Sequence, residues 1–265
     1  MSTARYSFAA CIVVFALAAC GGGGGDGTGT GTGTGTGGST GGVSPEGGYG
    51  GSLTGSPVAT AFRLLVLENN EIWALYGNET PSFFAVRGFL QGQGSATATT
   101  FSSSDIRDFG VVPVSVGSAS ATYDSVARTV SGTVTFPSGT VGLSGGPVPG
   151  SLYLYNIAAS LTTIAGSWTL TELSGETISL SIQASGAFTA TSSGGCSFSG
   201  NFSPRPSGRN VFNAQVLFGP APCLLANQSA NGSALAFPLG SGLTQFIFAG
   251  TNIGRTVGAA AFGVR

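Results

Sequence analysis

From Pro57 to the C terminus, the sequence consists of short runs in which apolar and polar residues alternate, bounded by Gly, Ser, Asn and Pro. No window of ten residues in this region holds an apolar stripe of helical period without Gly or Pro. Alternation with period two is typical of strands that bury one face, and the bounding residues favour turns. The pattern therefore predicts an all-β, antiparallel fold. The exception is residues 102–108, which we interpret as a single helical turn capped by Ser103 or Ser104.

The alternating runs fall into two units, residues 58–160 and residues 161–265. The second unit holds about eight short strands separated by turn signals such as Asn231-Gly232. An up-and-down barrel suits this number, because a closed barrel leaves no strand edge exposed. We predict such a barrel for residues 161–265 and a β-rich unit of undetermined strand order for residues 58–160.

The N-terminal segment, residues 1–19, has the plan of a signal peptide: one positive charge followed by an apolar run too short to span a bilayer. The run ends in Leu17-Ala18-Ala19-Cys20, followed by Gly21. This motif resembles the lipobox of bacterial lipoproteins. The resemblance implies cleavage before Cys20, acylation of Cys20 and a lipid anchor in the membrane. Gly21 in place of Asp favours the outer membrane, with its face left open. The alternative is an ordinary secretory signal in which Cys20 has no role.

Residues 20–57 are rich in Gly, Thr and Ser and are poor in apolar side chains. Such a composition buries little apolar surface, so we expect a flexible stalk with a mean span of roughly 35 Å. Tyr49 and Leu53 are its sizeable apolar side chains near the body, and we expect them to dock there.

Gly166-Ser167-Trp168 opens the second unit. Together with the eight-strand pattern, this motif resembles the lipocalin and calycin barrels. The resemblance implies that an Arg from the last strand packs across the Trp, and Arg255 and Arg265 are the candidates. The whole plan of lipobox, Gly-rich stalk and β lobes is also similar to Gram-negative surface lipoproteins of the transferrin-binding type.

Composition excludes several classes of function. The chain has no His and nine basic residues, all Arg, so a Ser-His-Asp triad is impossible and a nucleic-acid partner is not expected. We predict no cofactor and no metal site. Two carboxylate pairs, Glu68 with Glu71 and Asp105 with Asp108, could serve a glycosidase, but we interpret them as solvated turn residues. Residues 102–104 beside Asp105 lack a base that would activate a serine. We therefore predict no catalytic residue.

Cys196 and Cys223 are the cysteines that remain after Cys11 and Cys20. An even count in an oxidising envelope favours a disulfide between them, worth roughly 3–4 kcal/mol by loop entropy. A redox-active pair is the disfavoured alternative, because the chain has no Cys-x-x-Cys motif.

Aromatic residues mark two regions. Those of the first unit either pack a core or offer a platform for sugars or peptides: Trp73, Tyr76, Phe83, Phe84 and Phe89. Those of the second unit, if they point inward, would fill a small barrel and weaken any ligand hypothesis: Phe188, Phe198, Phe212, Phe218, Phe237, Phe246 and Phe248.

The leading hypothesis is a non-catalytic envelope lipoprotein whose β body binds a small apolar ligand or an envelope protein. The second hypothesis is a structural or assembly lipoprotein without a small-molecule ligand. A hydrolase is the remote alternative.

Overall fold

The computed structural model describes residues 44–265, so the signal segment, Cys20 and most of the expected stalk lie outside the described residues. No helix within residues 44–265 has the length and apolar character needed to cross a bilayer.

The first half of the described chain forms a closed antiparallel barrel, called here the N-terminal barrel. Each strand pairs with the next in sequence, and pairing of Leu53 with Leu143 joins the first strand to the last. Its strands are β1 (Gly47–Thr54), β2 (Ala61–Val66), β3 (Glu71–Glu79), β4 (Phe84–Ala96), β5 (Thr100–Asp108), β6 (Ser115–Asp124), β7 (Thr129–Phe136) and β8 (Gly139–Gly146).

Strand β1 corrects the expectation that the stalk extends to residue 57. It pairs with β2 on one side and β8 on the other, so it is a full member of the barrel wall. Its glycines permit close packing: a Cβ at Gly51 would lie 2.2 Å from the carbonyl oxygen of Ser144. The Gly-rich composition that predicts a flexible coil is here a requirement of strand packing.

Residues 102–108, interpreted above as a helical turn, belong to β5. The polar run is compatible with a strand because its register shifts between Ser103 and Ile106, in a β-bulge against β6. The prediction of a helical turn is therefore wrong.

The second half forms another closed antiparallel barrel, called here the C-terminal barrel. A 3-10 turn at Leu161–Thr163 precedes it, and pairing of Phe262 with Thr171 closes it. Its strands are β9 (Gly166–Glu172), β10 (Thr177–Ile182), β11 (Ala187–Ser192), β12 (Ser197–Pro204), β13 (Phe212–Phe218), β14 (Ser229–Pro238), β15 (Thr244–Thr251) and β16 (Gly258–Val264). The predicted all-β antiparallel class and the eight-strand C-terminal barrel are confirmed.

The two barrels pack against each other through an apolar layer. Outward-facing side chains of the N-terminal barrel, among them Trp73 and Phe89, meet Ile247 and Phe262 of the C-terminal barrel in one buried cluster. The Gln245 side chain crosses the contact: its Nε2 donates to the Phe84 carbonyl oxygen at 3.0 Å, and its Oε1 accepts from the Phe84 amide at 3.3 Å.

Ion pairs flank this layer. Arg205 Nε lies 2.8 Å and 3.1 Å from the two carboxylate oxygens of Glu68, and the guanidinium of Arg255 donates to Asp105. Arg255 also donates to the Gln91 carbonyl oxygen at 3.1 Å. The two barrels are therefore joined by apolar side chains in the middle of their contact and by charge-assisted hydrogen bonds at the edges of that contact.

Candidate ligand-binding cavity

The N-terminal barrel encloses a cavity of about 370 Å³. This volume lies within the range of natural small-molecule sites, which is about 300–1,000 Å³. Its walls come from the inward face of all eight strands and are mostly aliphatic or aromatic. The wall includes Leu53, Phe62, Leu64, Leu90, Phe101, Ala119, Ala121, Val134, Phe136 and Leu143.

The cavity exists because one wall carries small side chains. Along β6 the inward positions are Gly117, Ala119 and Ala121, while Ser118, Ser120 and Thr122 between them are exposed. Small inward-facing side chains on one strand leave a space inside the barrel, and the bulkier side chains of the opposite wall do not fill that space. The alternation on β6 therefore both forms the strand and opens the cavity.

One end of the cavity is closed by bulky side chains. Val66, Ile72 and Val130 are buried there, and two tyrosines bond to the backbone. Tyr49 donates from its hydroxyl to the Pro45 carbonyl oxygen at 2.8 Å, and Tyr123 donates to the Thr97 carbonyl oxygen. The tyrosines thus satisfy their polar atoms while their rings line an apolar floor.

The opposite end is the mouth. It is formed where β1, β5 and β7 end, and Pro57, Val58, Val111 and Ser138 belong to the lining there. Val58 is 59% exposed and Val112, beside the mouth, is fully exposed. Exposed apolar side chains at the rim of an apolar cavity are consistent with entry of an apolar molecule at this end.

A polar pair lies at the mouth. The Tyr76 hydroxyl donates to Asp108 Oδ1 at 2.9 Å, and the Gly110 amide donates to the same oxygen at 2.8 Å. Burial raises the pKa of the Asp108 carboxyl, and the bonds from Gly110 and Tyr76 offset this in part. Burial and the neighbouring Asp108 carboxylate also raise the pKa of the Tyr76 hydroxyl.

The aromatic residues noted in the sequence have different positions. Trp73, Phe84 and Phe89 are buried between the barrels, so core packing is confirmed for them. Phe89 stacks on Phe109 at a ring-centroid distance of 4.8 Å. Tyr76 alone of the five lines the cavity.

The interpretation of the candidate carboxylates as solvated turn residues is wrong for three of the four, because Glu71 belongs to β3 and Asp105 and Asp108 belong to β5. Glu68 is bound to Arg205, and Glu71 Oε1 accepts from the Trp73 indole at 2.9 Å. Asp105 is bound to Arg255 at the contact between the barrels, whereas Asp108 lies at the cavity mouth. The Ser103 hydroxyl donates to the Gln93 carbonyl oxygen, which is a structural role.

The C-terminal barrel is filled. Phe188, Phe198, Phe212, Phe246 and Phe248 are buried in its core with Phe202, and Phe218 packs against them. Phe237 instead joins the layer between the barrels. The C-terminal barrel therefore has no room for a ligand among these side chains, and the cavity lies in the N-terminal barrel instead. The signal that could have located it is the row of small inward residues on β6.

The disulfide between Cys196 and Cys223 is present, with a Cα–Cα distance of 4.6 Å. Cys196 directly precedes β12, and Cys223 lies in the loop that follows β13. Because β12 and β13 pair up to Phe198 and Phe218, the bond extends their ladder and secures the loop at that end of the C-terminal barrel.

Comparison with known proteins gives only distant likenesses. No protein-family model matches the chain, and no curated protein matches it. One similar solved structure is a mutant of the vaccine antigen transferrin binding protein B from Haemophilus parasuis Hp5, with a TM-score of 0.28 and 7% identity. The match covers 77% of this chain and 65% of that chain, so this chain spans less than two thirds of its length.

Another similar structure is a protein of unknown function from the DUF3598 family of Nostoc punctiforme PCC 73102. Its TM-score is 0.23 at 12% identity, over 83% of this chain and 93% of that chain. At these identities and TM-scores, neither likeness assigns a function to this chain.

Proposed function

We propose that the protein is a non-catalytic envelope lipoprotein whose N-terminal barrel binds one small apolar ligand. The observation that carries this proposal is a contrast between the two barrels, which have the same number of strands. The C-terminal barrel is filled by aromatic side chains, whereas the N-terminal barrel holds a cavity of about 370 Å³. Filling a barrel stabilises a fold, so an unfilled apolar interior with an exposed apolar rim supports a binding role.

The chemistry of the described residues favours binding over catalysis. Asp108 and Tyr76 at the mouth bond to each other, and the raised pKa of the Tyr76 hydroxyl keeps its proton in place at neutral pH. The sequence offers no His to act as a base beside them. A mostly apolar interior whose described polar side chains are hydroxyls and one carboxylate suits recognition of a molecule and offers no activated nucleophile.

The membrane association is part of the same proposal and rests on the sequence. Cleavage before Cys20 and acylation of that residue would anchor the protein, with the outer membrane as the favoured location. Two or more acyl chains hold a protein firmly at a bilayer. A lipid-anchored body with an apolar cavity would then be held close to a source of apolar molecules.

Native mass spectrometry tests ligand binding. The sample is the chain from residue 20 onward with Cys20→Ser, so that no attached acyl group competes for the cavity, purified from the periplasm without reducing agent. We expect a reproducible excess of mass that disappears on denaturation. A bare mass, together with no uptake of an alkyl probe, would contradict the proposal and favour the structural or assembly hypothesis.

Two variants on one strand localise the ligand. Ala119→Phe puts a bulky side chain into the cavity, whereas Thr122→Phe puts the same side chain on the outer face of β6. We expect the first variant to lose the excess mass and the second to retain it. Retention by both would place the ligand outside the cavity.

A further inference from the structure

The cavity mouth carries a single formal charge. Among the described residues that line the cavity, Asp108 is the only charged one, and no Arg lies among them. The other polar groups at this end are uncharged: backbone groups and the hydroxyls of Tyr76, Ser56 and Ser138. The part of a ligand that remains at the mouth therefore meets a negative charge with no positive charge among these lining residues to balance it.

The carboxylate has one oxygen free for a ligand. Both donors within the protein, the Tyr76 hydroxyl and the Gly110 amide, bond to Oδ1. Within residues 44–265 no side chain or amide donates to Oδ2. The Tyr76 hydroxyl has its own proton committed to Asp108, so its oxygen can still accept a hydrogen bond. The mouth thus presents two acceptors side by side and no free donor from this pair.

The volume of the cavity sets the size of the apolar part. One water-sized group occupies about 30 Å³ in a liquid, so a cavity of about 370 Å³ holds roughly a dozen such groups. An alkyl chain of about twelve carbons, or a compact ring system of similar volume, would fill the space between the mouth and the tyrosine floor.

From the single carboxylate at the rim of an apolar cavity, we infer that the ligand is an amphiphile whose apolar chain fills the barrel and whose amine head pairs with Asp108. This inference rests on the proposed function and names the class of its ligand. A protonated amine donates to Asp108 Oδ2 and to the Tyr76 oxygen at once and balances the charge. A fatty acid would instead place a second carboxylate beside Asp108, and like charges disfavour each other at a partly buried site.

Calorimetric titration of three probes with the same chain tests the head group. The probes are dodecylammonium, dodecanol and laurate, added to the chain from residue 20 onward with Cys20→Ser at pH 7. The two ionic probes are kept below their micelle concentrations and dodecanol below its solubility limit. An alkylamine is protonated at this pH, and a fatty acid is ionised. We expect one site and an affinity for dodecylammonium at least about tenfold higher than for laurate, with dodecanol between them.

Asp108→Asn isolates the charge. Asn retains an oxygen at Oδ1 to accept from Tyr76 and Gly110, so the variant removes the charge and keeps the two internal bonds. We expect the preference for dodecylammonium over laurate to fall to about unity. Asp124→Asn is the matched control: Asp124 Oδ1 accepts from the Val126 and Ala127 amides, both at 2.8 Å, at the closed end of the same barrel. That variant should keep the wild-type preference.

The outcomes separate the two proposals. Equal affinity for all three probes, or a preference that survives Asp108→Asn, would overturn the inference about the head group while the binding function stood, provided that Ala119→Phe abolished uptake. No uptake of any probe, or uptake that Ala119→Phe leaves unchanged, would overturn the proposed function itself.

Discussion

The guanidinium of Arg265 lies over the indole ring of Trp168, with its carbon 3.9 Å from the ring centroid. Trp168 Nε1 donates to the Ile164 carbonyl oxygen at 2.7 Å, and Arg265 donates to the Thr163 carbonyl oxygen at 3.2 Å. The last residue of the chain and the first strand of the C-terminal barrel are thereby fixed to the same short turn. A glycine is needed at Gly166, because its φ is +107° and a Cβ would lie 3.0 Å from the guanidinium.

Arg265→Ala should therefore destabilise the C-terminal barrel. The cation–π contact and the bond to Thr163 together contribute about 1–2 kcal/mol. We expect the urea midpoint to fall without a change in slope. Arg87→Ala removes an exposed Arg from β4 and is the control, with an expected change within about 0.5 kcal/mol. Equal effects of the two substitutions would contradict the role assigned to the Trp168 contact.

One substitution made in both barrels should have opposite effects. Ala119→Leu adds carbon atoms to the cavity of the N-terminal barrel, and burying them should stabilise it by about 1–2 kcal/mol. Ala190→Leu adds the same atoms to the filled core of the C-terminal barrel and should cost about 1–3 kcal/mol. Thermal unfolding of both variants measures the difference, and destabilisation by Ala119→Leu would show that the cavity does not persist in solution.

The start of the folded body can be tested by truncation. A chain that begins at residue 44 retains β1, and one that begins at Ser56 lacks it. Because β1 pairs with both β2 and β8, its loss opens the N-terminal barrel and exposes two edges. We expect the shorter chain to aggregate or to bind a dye for exposed apolar surface, and the longer chain to remain folded. Near-identical circular dichroism and unfolding curves would contradict the assignment of β1 to the barrel.

Much of the fold follows from alternation and turn residues, and the parts that do not follow have identifiable causes. The C-terminal barrel was predictable because β10 and β13 alternate cleanly between buried and exposed positions. β1 was missed because GGYGGSLT has the composition of a linker, while only the packed structure shows that Gly51 sits against the backbone of Ser144. The composition of a segment indicates how much apolar surface it can bury, but it does not show how closely neighbouring strands pack against the backbone of that segment.

The candidate site was harder to predict for a similar reason. The resemblance to lipocalin barrels lies in the C-terminal unit, where Arg265 does cover Trp168 but the interior is filled by side chains. Arg255, the other candidate, bonds instead to Asp105 of the N-terminal barrel. A cavity depends on the summed volume of facing side chains from eight strands. Strand β1, which closes the first unit into a barrel, had been assigned to the stalk, so a closed interior could not be predicted there.

The disulfide should contribute measurably to stability. Cys196 and Cys223 are 27 residues apart, and closing a loop of this length is worth about 3–4 kcal/mol in the unfolded-chain model. The double variant Cys196→Ala, Cys223→Ala avoids a free thiol and should lower the free energy of unfolding by about that amount. The control is the wild-type chain after reduction, which should unfold at a similar urea concentration. Unchanged stability in both would contradict a structural role.

Asp108 should make stability depend on pH. Its pKa in the folded protein is raised above the ordinary value of 3.8, so the folded state binds the proton more tightly than the unfolded state. Stability should therefore fall as the pH rises from 3.8 through the higher folded pKa, and the charged carboxyl is a cost at pH 7. Asp108→Asn should be more stable than wild type at pH 7 and should lose that advantage below pH 3.8. Urea unfolding at the two pH values measures the difference in stability, and a variant that is less stable than wild type at pH 7 would contradict a net cost of the buried charge.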